Sequence, residues 1–206
     1  MVKILLGLFI LSISGCSYTN ALNTSAADTN TKDTNKEGVN AGSASGLSKY
    51  NGLCNGSLPL DLQSLQFISH VGEQNEVIGK PGAGKLCQAN VYRVKKEITV
   101  WRTWNSEYQP SAKGKWWTFN MPMGAVSEYR QHYEICPSYS PIDKLIKCTL
   151  IQDEQIIVGT GQSATCSQYL TYKTSSALQV YIDDAAVSVK DCSLYNGQLS
   201  WTSEPR

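Results

Sequence analysis

Residues 91–101 read Val91-Tyr92-Arg93-Val94-Lys95-Lys96-Glu97-Ile98-Thr99-Val100-Trp101. Val91–Val94 and Ile98–Trp101 are short and rich in β-branched and aromatic side chains, the composition of strands. The same signature returns at Trp116–Phe119, Leu145–Leu150, Gln155–Gly159, Gln179–Ile182 and Val187–Val189. Helical periodicity is rarer. From Ala125 to Tyr133 the chain reads A-V-S-E-Y-R-Q-H-Y, with Val126, Tyr129 and Tyr133 at helical spacing just after Pro122. Ser138–Lys144 is expected to add one helical turn. No period of 20 to 50 residues recurs, which excludes a repeat architecture. The expectation is an α+β, β-rich single domain with few short helices.

The bulk numbers agree with one domain. The chain has 206 residues, 41% hydrophobic and 17% charged, with 18 Lys+Arg against 17 Asp+Glu. A net charge of +1 carries no basic footprint, so nucleic acid is not an expected partner. Five Trp and 11 Tyr supply large side chains for one core.

The first residues address the protein. Met1-Val2-Lys3 is followed by an apolar run from Ile4 to Ile13. That run is far below the ~20 residues of a membrane span and has the proportions of a signal-peptide core. Ile13-Ser14-Gly15-Cys16 then resembles the bacterial lipobox. In lipoproteins the Cys becomes the lipidated first residue, so residues 1–15 are expected to be a signal peptide and Cys16 the anchor in a lipid bilayer. The competing reading is an ordinary cleaved signal with a chance Cys. Ser17 in place of Asp implies, by the same resemblance, the outer membrane and the cell envelope. Residues 16–49 hold Asn, Thr, Ser, Ala, Asp and Gly with no apolar periodicity. Such a stretch cannot bury enough surface to offset its ordering entropy, and reads as a tether leading to a globular domain over residues 50–206.

With Cys16 assigned to lipid, Cys54, Cys87, Cys136, Cys148, Cys166 and Cys192 remain. An even number in an exported chain points to three disulfides, with 15 possible pairings left open. Structural zinc wants ligand pairs only about two to four residues apart, and Cys136 and Cys148, the nearest pair, are much wider. Thiol catalysis needs a partner His, and only His70 and His132 exist. No metal is expected.

Two motifs mislead. Gly79-Lys80-Pro81-Gly82-Ala83-Gly84-Lys85 matches the front of a phosphate loop, but Leu86 stands where the Mg²⁺ ligand belongs and no amphipathic helix follows. It reads as a Gly/Pro turn. Gly161-Gln162-Ser163-Ala164-Thr165 is like a nucleophile elbow lacking its second Gly.

Three patches, in order, resemble ADP-ribosyltransferase-like folds and, within them, NAD glycohydrolase toxins. The first is Tyr92-Arg93-Val94 with the strand after it; the second is Gly114-Lys115-Trp116-Trp117-Thr118-Phe119; the third is Thr174-Ser175-Ser176-Ala177-Leu178-Gln179-Val180-Tyr181-Ile182. The resemblance implies a split sheet with few short helices, here disulfide-stabilised, and assigns roles. Arg93 would grip the NAD pyrophosphate, with Tyr92 beside it and Arg102 as the competing phosphate-gripping Arg. Thr118 would fix the ribose or the amide. Tyr129, or one of Trp116 and Trp117, would stack the nicotinamide. Gln179 would stand where transferases carry the catalytic Glu, with Ala177 in place of the earlier Glu or Gln. Gln offers hydrogen bonds but no charge, and the missing group at 177 argues against transfer to protein and for water as acceptor. NAD is thus an expected substrate and no resident cofactor is implied. The other expectation is a non-catalytic periplasmic or surface binding lipoprotein, in which exposed Trp and Tyr mark a partner surface.

Overall fold

A computed structural model describes residues 53–204 apart from 55, 60 and 61. Cys16, the tether and the expected domain start at residue 50 lie outside the described residues. The elements run β1 (Leu65–His70), β2 (Leu86–Val94), β3 (Ile98–Trp104), a 3-10 turn (Gln109–Lys113), β4 (Trp116–Trp117), α1 (Val126–His132), β5 (Lys144–Leu150), β6 (Gln155–Gly161), β7 (Ala164–Ser167), β8 (Leu170–Tyr172), β9 (Leu178–Tyr181), α2 (Ala185–Ser188), β10 (Val189–Asn196) and β11 (Thr202–Ser203). The domain is β-rich with few helices, as the strand signatures required.

The strands form a five-stranded sheet in the order β1-β2-β6-β9-β4, a four-stranded sheet in the order β11-β10-β5-β3, and the hairpin β7-β8. All pairings are antiparallel. The two large sheets meet where Trp101 and Thr118 exchange backbone hydrogen bonds of 2.8 Å in each direction. Alternation along the strands gives both sheets an apolar face. Tyr92, Val94, Ile156, Val158, Val180 and Trp117 from the first sheet share one core with Val100, Trp104, Ile146 and Leu150 from the second. Each such side chain contributes about 1.5–3 kcal/mol through burial, and this core fixes the sheets that carry the site.

Two expectations are corrected. Val187–Val189 is not a strand throughout: Asp184 accepts a hydrogen bond from the Ala186 amide and starts the single helical turn of α2, and the strand begins at Val189. Ser138–Lys144 forms no helix; a turn at residues 137–139 leads through irregular backbone, with Ile142 at positive φ, into β5. Pro141 explains this, since it has no amide to donate and biases Ser140 away from helical geometry.

The six cysteines pair as Cys54–Cys87, Cys136–Cys166 and Cys148–Cys192. The third links neighbouring strands β5 and β10, where their register shifts between Lys190 and Ser193.

Candidate functional site

Register places the site. Directly paired residues on antiparallel strands share a face. Trp116 pairs with Tyr181, and Gln179 lies two residues before Tyr181, so Trp116, Tyr181 and Gln179 present one face of the first sheet. Against it stands α1 with the turn that follows. Between them lies a cavity of about 470 Å³, within the usual range for small-molecule sites.

The walls come from distant parts of the chain. Thr118, Trp117, Tyr129 and Gln179, all anticipated as site residues, line this one cavity. Thr118 donates from Oγ1 to the Asn120 carbonyl at 2.8 Å, which holds the chain leaving β4. Tyr129 is buried on the inner face of α1, and burial raises its phenol pKa well above normal. It is therefore a neutral hydroxyl at physiological pH. Trp117 belongs mainly to the core, 1% exposed, with its indole N–H donating to the Gly114 carbonyl at 2.7 Å. Trp116 is the less buried of the pair and packs edge-on against Tyr181 with ring centroids 5.1 Å apart.

Arg93 and Tyr92 do not line the cavity. The Tyr92 ring is in the core and its hydroxyl donates to the Gly56 carbonyl at 2.8 Å. Arg93 shares a face with Gln179, because Gln179 pairs with Gly159 and Gly159 with Ala89. It lies four residues beyond Ala89 and two strands across from Gln179. At ~3.3 Å per residue and ~4.8 Å between strands, that is a separation of roughly 16 Å.

Arg102 lines the cavity instead. Its guanidinium donates from Nε to the Ser111 carbonyl at 2.7 Å and from Nη1 to the Trp116 carbonyl at 2.7 Å. No carboxylate pairs with it among the described ion pairs. Burial pulls it down to about 10, opposed by the neighbouring Tyr129, so it remains a cation at neutral pH. Gly114 makes room for it, since a Cβ there would come within 2.4 Å of Nη2.

The residue that sequence reading missed is Glu134, 4% exposed. It follows α1 in left-handed backbone, φ 49°. Its Oε2 accepts from the Gln179 side-chain amide at 2.8 Å, and that amide also reaches the Tyr133 carbonyl at 3.3 Å. Its Oε1 has no hydrogen-bond partner among the described residues. Burial pushes the carboxyl up to about 8, against the opposing pull of Ser175 and Gln179. The group is held in place from several sides. Arg130 donates to the carbonyls of Ile135, Cys136 and Ser140, at 3.2, 3.3 and 2.8 Å, and Cys136 is bonded to Cys166 on β7. The carboxyl rests on Gly161 of β6, where a Cβ would come within 1.7 Å of Oε2. Only glycine leaves that bed open.

The Gly/Pro turn contributes as well. Gly82 and Gly84 adopt positive φ, and Ala83, Gly84 and Lys85 line the cavity. Ser163 of the elbow-like motif has no base: its Oγ accepts from the Gly82 amide at 2.9 Å and donates to Gln162 Oε1 at 3.1 Å. Among the described residues no group of three His, Cys, Asp or Glu side chains is placed to hold a metal ion. Taken together the cavity offers a cation, an acid, an amide, hydroxyls and aromatic walls. Comparison with known protein families, curated proteins and solved structures finds no match to this chain.

Proposed function

We propose that this chain is a lipoprotein, anchored through Cys16 in the outer membrane of a bacterial cell envelope, whose domain is ADP-ribosyltransferase-like and hydrolyses NAD. The observation that carries the reading is the convergence of Thr118, Tyr129 and Gln179, from three separate elements, on one cavity that also holds Arg102. Arg102 takes the role first expected of Arg93 and holds the phosphates by charge-assisted hydrogen bonds. Thr118 binds the ribose or the carboxamide, and Tyr129 with Trp116 lines the nicotinamide pocket.

In the reaction, the bond between ribose C1′ and the ring nitrogen breaks and its electron pair returns to the ring, so neutral nicotinamide leaves. Positive charge on the ribose is met by Gln179 and by Glu134 in its ionised form. Water adds to C1′ and its proton passes to the Glu134 carboxylate or to solvent, giving ADP-ribose, nicotinamide and a proton. Ala177 has no group to orient a protein acceptor, which favours glycohydrolase over protein ADP-ribosylation.

The test is to mix the oxidised full chain with NAD and look for free nicotinamide. Absence of turnover sinks the reading. The non-catalytic binding alternative draws on one observation, the position of Arg93 outside the cavity. The anchor is tested separately: Cys16→Ser should move the protein out of the membrane fraction, and retention there would overturn the lipobox assignment.

A further inference from the structure

Glu134 is a buried acid without a counter-charge. The groups facing it are few. Gln179 on β9 donates to Oε2. Ser175 approaches from the loop before β9, where its Oγ donates to the His132 carbonyl at 2.5 Å. Tyr133 at the end of α1 does not ionise readily, because burial, and after it the neighbouring Glu134 charge, raise its pKa. Gly161 on β6 offers only backbone. Lys85, Arg102, Tyr129 and Tyr139 line the same cavity, and no ion pair joins Glu134 to Lys85 or Arg102 among the described residues. The acid and the guanidinium share one chamber with no ion pair between them.

A buried carboxyl with a vacant oxygen is costly to a fold in its charged form, so it either keeps its proton or pairs with an arriving cation. The neighbouring walls are rings: Tyr129 and Tyr133 pack at a 45° tilt with centroids 4.8 Å apart, and Trp116 lines the same space. Ring faces attract positive charge. We propose that the cavity is a receptor for an organic cation, which sits against Glu134 Oε1 beside these rings while Arg102 serves an anionic part of the same molecule. The inference shares its cavity with the NAD reading but stands whether or not a bond is cleaved there. A cation entering the chamber draws the proton off Glu134, and a ligand that loses its positive charge loses its partner.

The probe pair is 1-methylnicotinamide, a permanent cation with no glycosidic bond, and neutral nicotinamide. Binding to the oxidised full chain is followed by calorimetry from about pH 6.5 to about pH 9. With the carboxyl at about 8, the ionised fraction rises about 30-fold over that interval, and affinity for the cation should rise with it. Nicotinamide affinity should stay level. Glu134→Gln keeps the shape and removes the charge, so the rise should vanish. The wild-type contrast between the two probes needs no variant and holds even if Glu134→Gln fails to fold. The proposal is overturned if the cation shows no measurable binding at about pH 9, if it binds no better there than nicotinamide, or if its rise survives in folded Glu134→Gln. Cation binding without nicotinamide release from NAD supports this proposal and removes only the cleavage reading.

Discussion

Gln179→Ala is expected to slow NAD hydrolysis about 100- to 1,000-fold, the cost of losing one well-placed donor at a charged centre. Two losses combine. The amide can no longer make its proposed contact with the ribose, and Glu134 Oε2 loses its 2.8 Å donor. That donor lowers the Glu134 pKa, so without it the carboxyl is held higher still and less of it is ionised at neutral pH. KM should change less, because the proposed reading assigns the phosphate contact to Arg102. In the wild type kcat/KM should climb with pH through about 8, since it reports ionisation of the free enzyme. Gln179→Glu sets a second carboxyl against the first. The pair then shares a proton, and the climb moves to higher pH. Steady-state rates across the pH range decide: a Gln179→Ala enzyme as fast as wild type would remove Gln179 from the chemistry.

The second large effect is structural. Replacing Cys136 and Cys166 together with Ala opens a link spanning 30 residues. Chain entropy alone makes that worth about 3–4 kcal/mol, or roughly 10 °C in Tm for a domain of this size. Turnover should fall even at temperatures where the variant is folded, because Cys136 lies two residues from Glu134. Removing Cys148–Cys192, with a separation of 44, should cost similar stability but leave turnover of the folded enzyme intact, since neither residue lines the cavity. Thermal melts paired with low-temperature rates separate the cases. Unchanged turnover after loss of Cys136–Cys166 would mean that Arg130 alone suffices to hold the turn.

What was legible in the sequence was what depends on near neighbours. Val126, Tyr129 and Tyr133 share a helix face by spacing alone, and α1 is there. Trp116, Trp117 and Thr118 read as a strand, although only Trp116–Trp117 pairs as one before the chain turns toward α1. β1 was missed because its register shifts between Phe67 and Ser69, which breaks the alternation that marks a strand. β10 was missed beyond Val189 because Lys190 and Asp191 face solvent and dilute its β-branched character. Glu134 was invisible for a different reason. Nothing local distinguishes it from any acid after a helix; its burial comes from Gly161, 27 residues on, and Gln179, 45 residues on. The choice between Arg93 and Arg102 likewise rests on which strand closes over α1, and that is a matter of sheet order.

The Cys136–Cys166 link also bears on when such a site comes into being. In the reducing interior where a chain is synthesised, thiols stay unpaired, so the turn bearing Glu134 lacks its tie to β7. On the proposed reading, the site is completed only where the Cys136–Cys166 bond can form.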